Sequence, residues 1–70
     1  MKEHLKFTRV DDYRDTWLVE NDEGDWIGTI MKSDVFKKRF VLKEIEYYAE
    51  FTSESLRQVG NLIESLENKH

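Results

Sequence analysis

His4 and His70 are the two histidines that could serve as a general base, and both lie beside a chain end. Fraying there leaves a base without fixed geometry, which proton transfer needs. Ser33, Ser53, Ser55 and Ser65 carry hydroxyls, but no histidine stands near any of them in sequence. A serine nucleophile works only beside such a base. The chain has no cysteine, so a thiolate nucleophile, a thiol ligand and a disulfide are all excluded.

Carboxylates are plentiful. Asp11, Asp12, Asp15, Glu20, Asp22, Glu23 and Asp25 crowd two early connections, and Glu44, Glu46, Glu50 and Glu54 line a later segment. Calcium ligation is one chemistry they could serve. Residues 20–25 lack the twelve-residue ligand frame with its closing Glu, so an EF-hand is excluded. Mimicry of a phosphate row is another, by which an acidic inhibitor protein would occupy a nucleic-acid-binding partner. The plainer reading of these acids is a solvated surface. No glycine-rich phosphate loop occurs. The expectation is a protein that is not an enzyme, with no metal site and no cofactor.

Aromatic residues are the remaining candidates. Trp17, Trp26 and Tyr13, with Lys37, Lys38 and Arg39 as phosphate contacts, could stack single-stranded nucleic acid on an open sheet face. The same rings are typical anchors of protein interfaces. Tyr13, Trp17, Trp26 and Tyr48 are therefore the candidate interface residues. A net charge of −4 disfavours non-specific nucleic-acid binding, which relies on neutralised phosphates.

These side chains need a scaffold, and 70 residues make one domain. A chain of this size buries only about 60% of the surface it exposes when unfolded, so its core is small. Charged residues make up 37% of the chain, yet two Trp, three Tyr and four Phe at regular spacings argue against disorder. No apolar run resembles a signal peptide or a membrane span, so a soluble, cytoplasmic protein is expected.

Residues 51–66 read as an amphipathic helix. Thr52 suits the N-cap, Phe51 and Leu56 have the spacing of a hydrophobic staple, and Glu54 faces the positive end of the dipole. Leu56, Val59, Leu62, Ile63 and Leu66 form the apolar stripe, opposite Arg57, Gln58, Asn61, Glu64 and Ser65. Gly60 inside the helix suggests close approach to a sheet.

Residues 5–10 alternate as a first strand, with Leu5 and Phe7 on one face and Val10 on the other. Residues 16–20 and 25–31 form two more strands around a turn at 21–24, where Gly24 can take positive φ. The simple alternation puts Trp17, Val19, Trp26 and Ile30 on one face and Leu18, Ile27 and Met31 on the other. Gly28 suggests a bulge or a bulky neighbour, with Trp17 or Phe7 to fill the space. A fourth strand starts near Arg39. Val41, Ile45, Tyr47, Ala49 and Phe51 share its apolar parity, broken only by Lys43. A helical stripe over residues 36–48 competes, but β-branched and aromatic content favours a strand.

The expected fold is α+β: an antiparallel meander of three to four strands with one C-terminal helix on one face. Both sheet faces carry apolar groups and one helix covers one of them. The expected function is a small binding or adaptor module acting through a protein interface or self-association, on a protein partner or as a homo-oligomer. Single-stranded nucleic-acid binding and acidic inhibition are the alternatives.

Overall fold

Short connections leave consecutive strands no neighbours but each other, and the chain folds accordingly. The computed structural model describes residues 4–10 and 15–68. Four strands, β1 (Lys6–Arg9), β2 (Trp17–Glu20), β3 (Trp26–Lys32) and β4 (Phe40–Ile45), precede one helix, α1 (Ser53–Asn68). They pair in chain order as one antiparallel sheet, as the alternation predicts.

The core lies between the sheet and α1. Val19, Ile27, Ile30, Phe40, Val59 and Leu66 are buried, and Leu5, Phe7, Trp17, Leu42, Ala49 and Phe51 pack around them. Two inserted residues decide which side chains reach it. Val19 pairs with Gly28 and Glu20 with Trp26, so Ile27 is an extra residue in β3. Thr29 pairs with Glu44 and Ile30 with Leu42, so Lys43 is an extra residue in β4. Such a bulge reverses the alternation on either side of it. Trp26 therefore leaves the face expected for it and exchanges places with Ile27, which enters the core.

The β4 parity differs from expectation for the same reason. Phe40 and Leu42 face the helix and Val41 faces outward with Met31. Ile45, paired with Gly28 on the helix side, is 51% exposed because the strand ends there. Tyr47 in the following turn is 93% exposed. The strand stops at Ile45, and the Ala49 N–H closes a turn on the Glu46 carbonyl at 2.9 Å. The helical alternative for residues 36–48 is not adopted.

Helix α1 begins as predicted. The Ser55 N–H donates to Thr52 Oγ1 at 3.1 Å, and the Thr52 N–H donates back to Ser55 Oγ at 2.7 Å. This is a capping box with Ser in place of the usual Glu or Gln. Because Ser55 turns inward, the buried stripe runs Ser55, Val59, Leu62, Ile63 and Leu66. Leu56 is 53% exposed while Phe51 packs on the core, which removes the expected staple. Gln58, expected to face water, instead accepts the Leu5 N–H at 2.9 Å. At the other end Glu67 Oε2 accepts the Phe40 N–H at 2.9 Å and lies 3.1 Å from Arg39 Nε. The helix is thus tied to both edges of the sheet.

The glycines separate by space. A Cβ at Gly28 would lie 2.9 Å from Leu42 Cδ1 and 3.0 Å from the Glu44 carbonyl oxygen. Leu42, rather than Trp17 or Phe7, fills the room that Gly28 leaves. A Cβ at Gly60 meets nothing within 4 Å, so no close helix–sheet approach requires it. Urea unfolding tests this contrast. Gly28→Ala is expected to cost about 1–3 kcal/mol through overpacking, and Gly60→Ala to add about 0.5–1 kcal/mol through helix propensity. Equal effects at the two sites would contradict the packing described.

Candidate functional site

One helix covers one face, and the other face of the sheet has no second layer among the described residues. A row of paired residues crosses all four strands on that face: Thr8 with Leu18, Leu18 with Thr29, Thr29 with Glu44. Beside it Met31 pairs with Val41. Val10, Thr16, Leu18, Thr29, Met31 and Glu44 line a shallow depression of about 570 Å³. Val10 thus lies on the face opposite Leu5 and Phe7, as its parity predicts.

Trp26 belongs to this face because of the Ile27 insertion. Its Nε1–H donates to Thr29 Oγ1 at 3.1 Å. Thr29 is only 4% exposed although no second layer of the described residues covers it. The outer face therefore mixes the apolar side chains of Leu18, Met31, Val41 and Trp26 with Thr8, Thr29 and Glu44.

The predicted interface residues do not form one patch. Trp17 lies half-buried against the core, on the helix side, with a buried indole N–H that has no hydrogen-bond partner among the described residues. Trp26 is half-buried on the uncovered face. Tyr48, 62% exposed, sits in the turn between β4 and α1, edge-on to Tyr47 with ring centroids 5.3 Å apart. Tyr13 falls outside the described residues, as do Asp11, Asp12 and His70. Since the two tryptophans occupy opposite faces, no face offers both for stacking.

The reactive side chains are placed as follows. Ser33 Oγ accepts the N–H groups of Val35 and Phe36, and Ser55 Oγ belongs to the helix cap. Ser53, Ser65 and His4 are exposed. Among the described residues no three His, Cys, Asp or Glu side chains are grouped to hold a metal ion. No described helix is long and apolar enough to cross a membrane.

Sequence reasoning found Leu18 and Met31 on the face opposite Val19. It missed Val41, because the β4 parity depends on the insertion at Lys43. It also missed Val35 and Phe36, which lie in the β3–β4 connection and are 78% and 62% exposed. No signal at the level of alternation marks them, since a loop has no period. No protein-family model, curated protein or solved structure matches the chain.

The β3–β4 loop carries a titration signature. Lys43 Nζ donates to Asp34 Oδ2, and this hydrogen bond, aided by the ammonium charge, holds the Asp34 carboxyl below its ordinary value. A carboxylate with a lowered folded-state pKa stabilises the fold above its unfolded pKa, and that contribution is lost as pH falls through the folded value. An NMR pH titration of Asp34 is expected to show the low midpoint, and Lys43→Met to move it back up to the ordinary aspartate range. A midpoint unmoved by Lys43→Met would mean the pair is not formed in solution.

Proposed function

We propose that the chain is a non-enzymatic binding module that docks a protein partner, another chain or a second copy of itself, on the uncovered face of the sheet. The observation that carries this reading is the apolar outer surface built from Leu18, Met31 and Val41, with Trp26 packed over Thr29. Contiguous apolar surface of this kind marks interaction sites in monomeric proteins. Trp and Met are enriched where partners meet. The face also has charge at its margins, with Lys6 paired to Glu20 in register and Glu44 closing the central row. An apolar centre with a polar rim is the usual anatomy of an interface.

Stacking of single-stranded nucleic acid is the competing reading. Trp26 alone supports it on this face, and the cations Lys37 and Lys38 lie in a loop at one end of the sheet rather than across it. A net charge of −4 opposes it further.

A photo-crosslinking amino acid at Met31, compared with one at Arg57 on the outer surface of α1, tests the proposal. A protein adduct, with another chain or a second copy, is expected from position 31 and not from 57. Substituting Leu18→Lys should reduce that adduct at least about tenfold, as removal of a buried interface contact does. Equal labelling from both positions would overturn the reading. So would salt-sensitive binding of a single-stranded oligonucleotide that disappears in Trp26→Ala.

A further inference from the structure

The antiparallel order puts the β2–β3 turn and the β4–α1 turn at one end of the molecule and the β3–β4 loop at the other. These two ends differ in shape and in charge. At the first, a cleft of about 280 Å³ is lined by Ile27, Ala49 and Tyr48 together with the acids Asp22, Glu23 and Glu50. At the second, Val35 and Phe36 project into solvent beside Lys37 and Lys38. Among the described residues, neither Lys37 nor Lys38 forms an ion pair, and neither do Asp22, Glu23 and Glu50.

The projecting loop is closed by its own hydrogen bonds and ion pairs. Ser33 Oγ accepts two of its N–H groups, the Arg39 N–H donates to the Phe36 carbonyl at 3.1 Å, and the Ser33 N–H donates to the Arg39 carbonyl at 2.9 Å. Asp34 is bound to Lys43 and Arg39 to Glu67. Lys38 keeps a φ of 64°, a left-handed conformation that a non-glycine residue adopts at a cost. Fixed loops that expose apolar side chains lose little freedom when a partner arrives.

We propose that the occupant of the acidic cleft is the Val35–Phe36 loop of a second copy of this chain, so that copies join head to tail. An apolar knob with a cationic margin meets an apolar notch with an anionic margin. The two surfaces cannot neutralise each other within one molecule. The seven residues of β3, at about 3.3 Å each, separate them by about 23 Å, more than twice the ~8 Å Debye length at physiological salt. A contact between unlike surfaces repeats, and so builds rings or open chains rather than two-fold pairs. This inference stands apart from the sheet face, whose residues it does not use.

Two variants, each disabled at one end, test it by sedimentation velocity. Lys37→Gln/Lys38→Gln removes the cationic margin of the knob and keeps the notch; Asp22→Asn/Glu23→Gln does the reverse, and neither change creates a new complementary pair in the mixture. All four side chains are exposed, and circular dichroism confirms that each variant is folded. Wild-type protein at about 1 mM, where a contact with a Kd of that order is substantially formed, is expected to show masses above 8.5 kDa that grow with concentration. Each variant alone should remain near 8.5 kDa, and an equal mixture should yield a species near 17 kDa, twice 8.5 kDa. That species should weaken about tenfold or more in high salt. Phe36→Ser, which changes no charge, should block assembly as the lysine pair does.

A wild-type protein that stays monomeric, a mixture that does not dimerise, or assembly of either single variant to the wild-type extent would each overturn the proposal. Self-association through the sheet face would give that last result, because both variants keep that face. The two modes are thereby separated.

Discussion

The insertion of Ile27 in β3 is the constraint on which both faces of the sheet depend. An unbroken strand would place Trp26 under α1 and Ile27 in solvent. The observed register sends Ile27 into the core beside Val19, where Gly28 contributes no side chain, and sends Trp26 outward over Thr29. Burying a side chain such as Ile contributes roughly 1.5–3 kcal/mol, a large share of the stability of a small domain. The bulkier indole beneath a single helix would have to displace Leu42, which already occupies the space over Gly28. The second insertion, at Lys43, completes the arrangement by keeping Leu42 inward while Glu44 joins the outer row. Core and candidate interface are therefore two results of one register.

Direction along the strands is the second organising variable. Helix α1 runs with its N-terminus over the acidic end and its C-terminus over the basic end. Negative charge near a helix start and positive charge near its finish each contribute about 0.3–1 kcal/mol when close to the terminus. Glu54 supplies the first. The last turn of α1 contains no basic residue, and Arg39 of the β3–β4 loop fills that role through its pair with Glu67. The charge difference between the ends thus has a stabilising part, close to the helix, and a part remote from it. Asp22 and Glu23 at a hairpin tip, and Lys37 and Lys38 at the loop beyond β3, belong to the second part.

Much of this architecture is legible in the sequence. Thr52 announces the helix start, Gly24 takes the positive φ its turn requires, at 89°, and period-two alternation marks the strands. What alternation cannot carry is an extra residue. Gly28 hints at a bulge, but nothing local says whether the insertion falls before or after it, and Trp26 and Ile27 exchange faces on that choice. The helix stripe is misjudged by one position for a related reason. Ser55 is polar, so a hydrophobicity pattern puts it outside, yet its hydroxyl is satisfied by Thr52 and it can be buried at little cost. Val35 and Phe36 are unreadable in another sense. Their exposure follows from a loop closed by Ser33 and Arg39, and no periodicity describes that geometry.

The engagement of the polar side chains bears on what kind of work the protein is suited to. Ser33, Ser55, Asn21, Gln58 and Glu67 each bind backbone N–H groups that turns, strand edges or the helix start would otherwise leave open. The bonds of Ser55, Gln58 and Glu67 are part-buried, where an unpaired donor or acceptor costs about 1–3 kcal/mol; those of Asn21 and Ser33 are exposed and shape turns. Among the described residues, surfaces without an internal partner include apolar groups on the outer sheet face, an apolar loop tip with cations, and an anionic cleft. Surfaces of that composition suit contact with other surfaces.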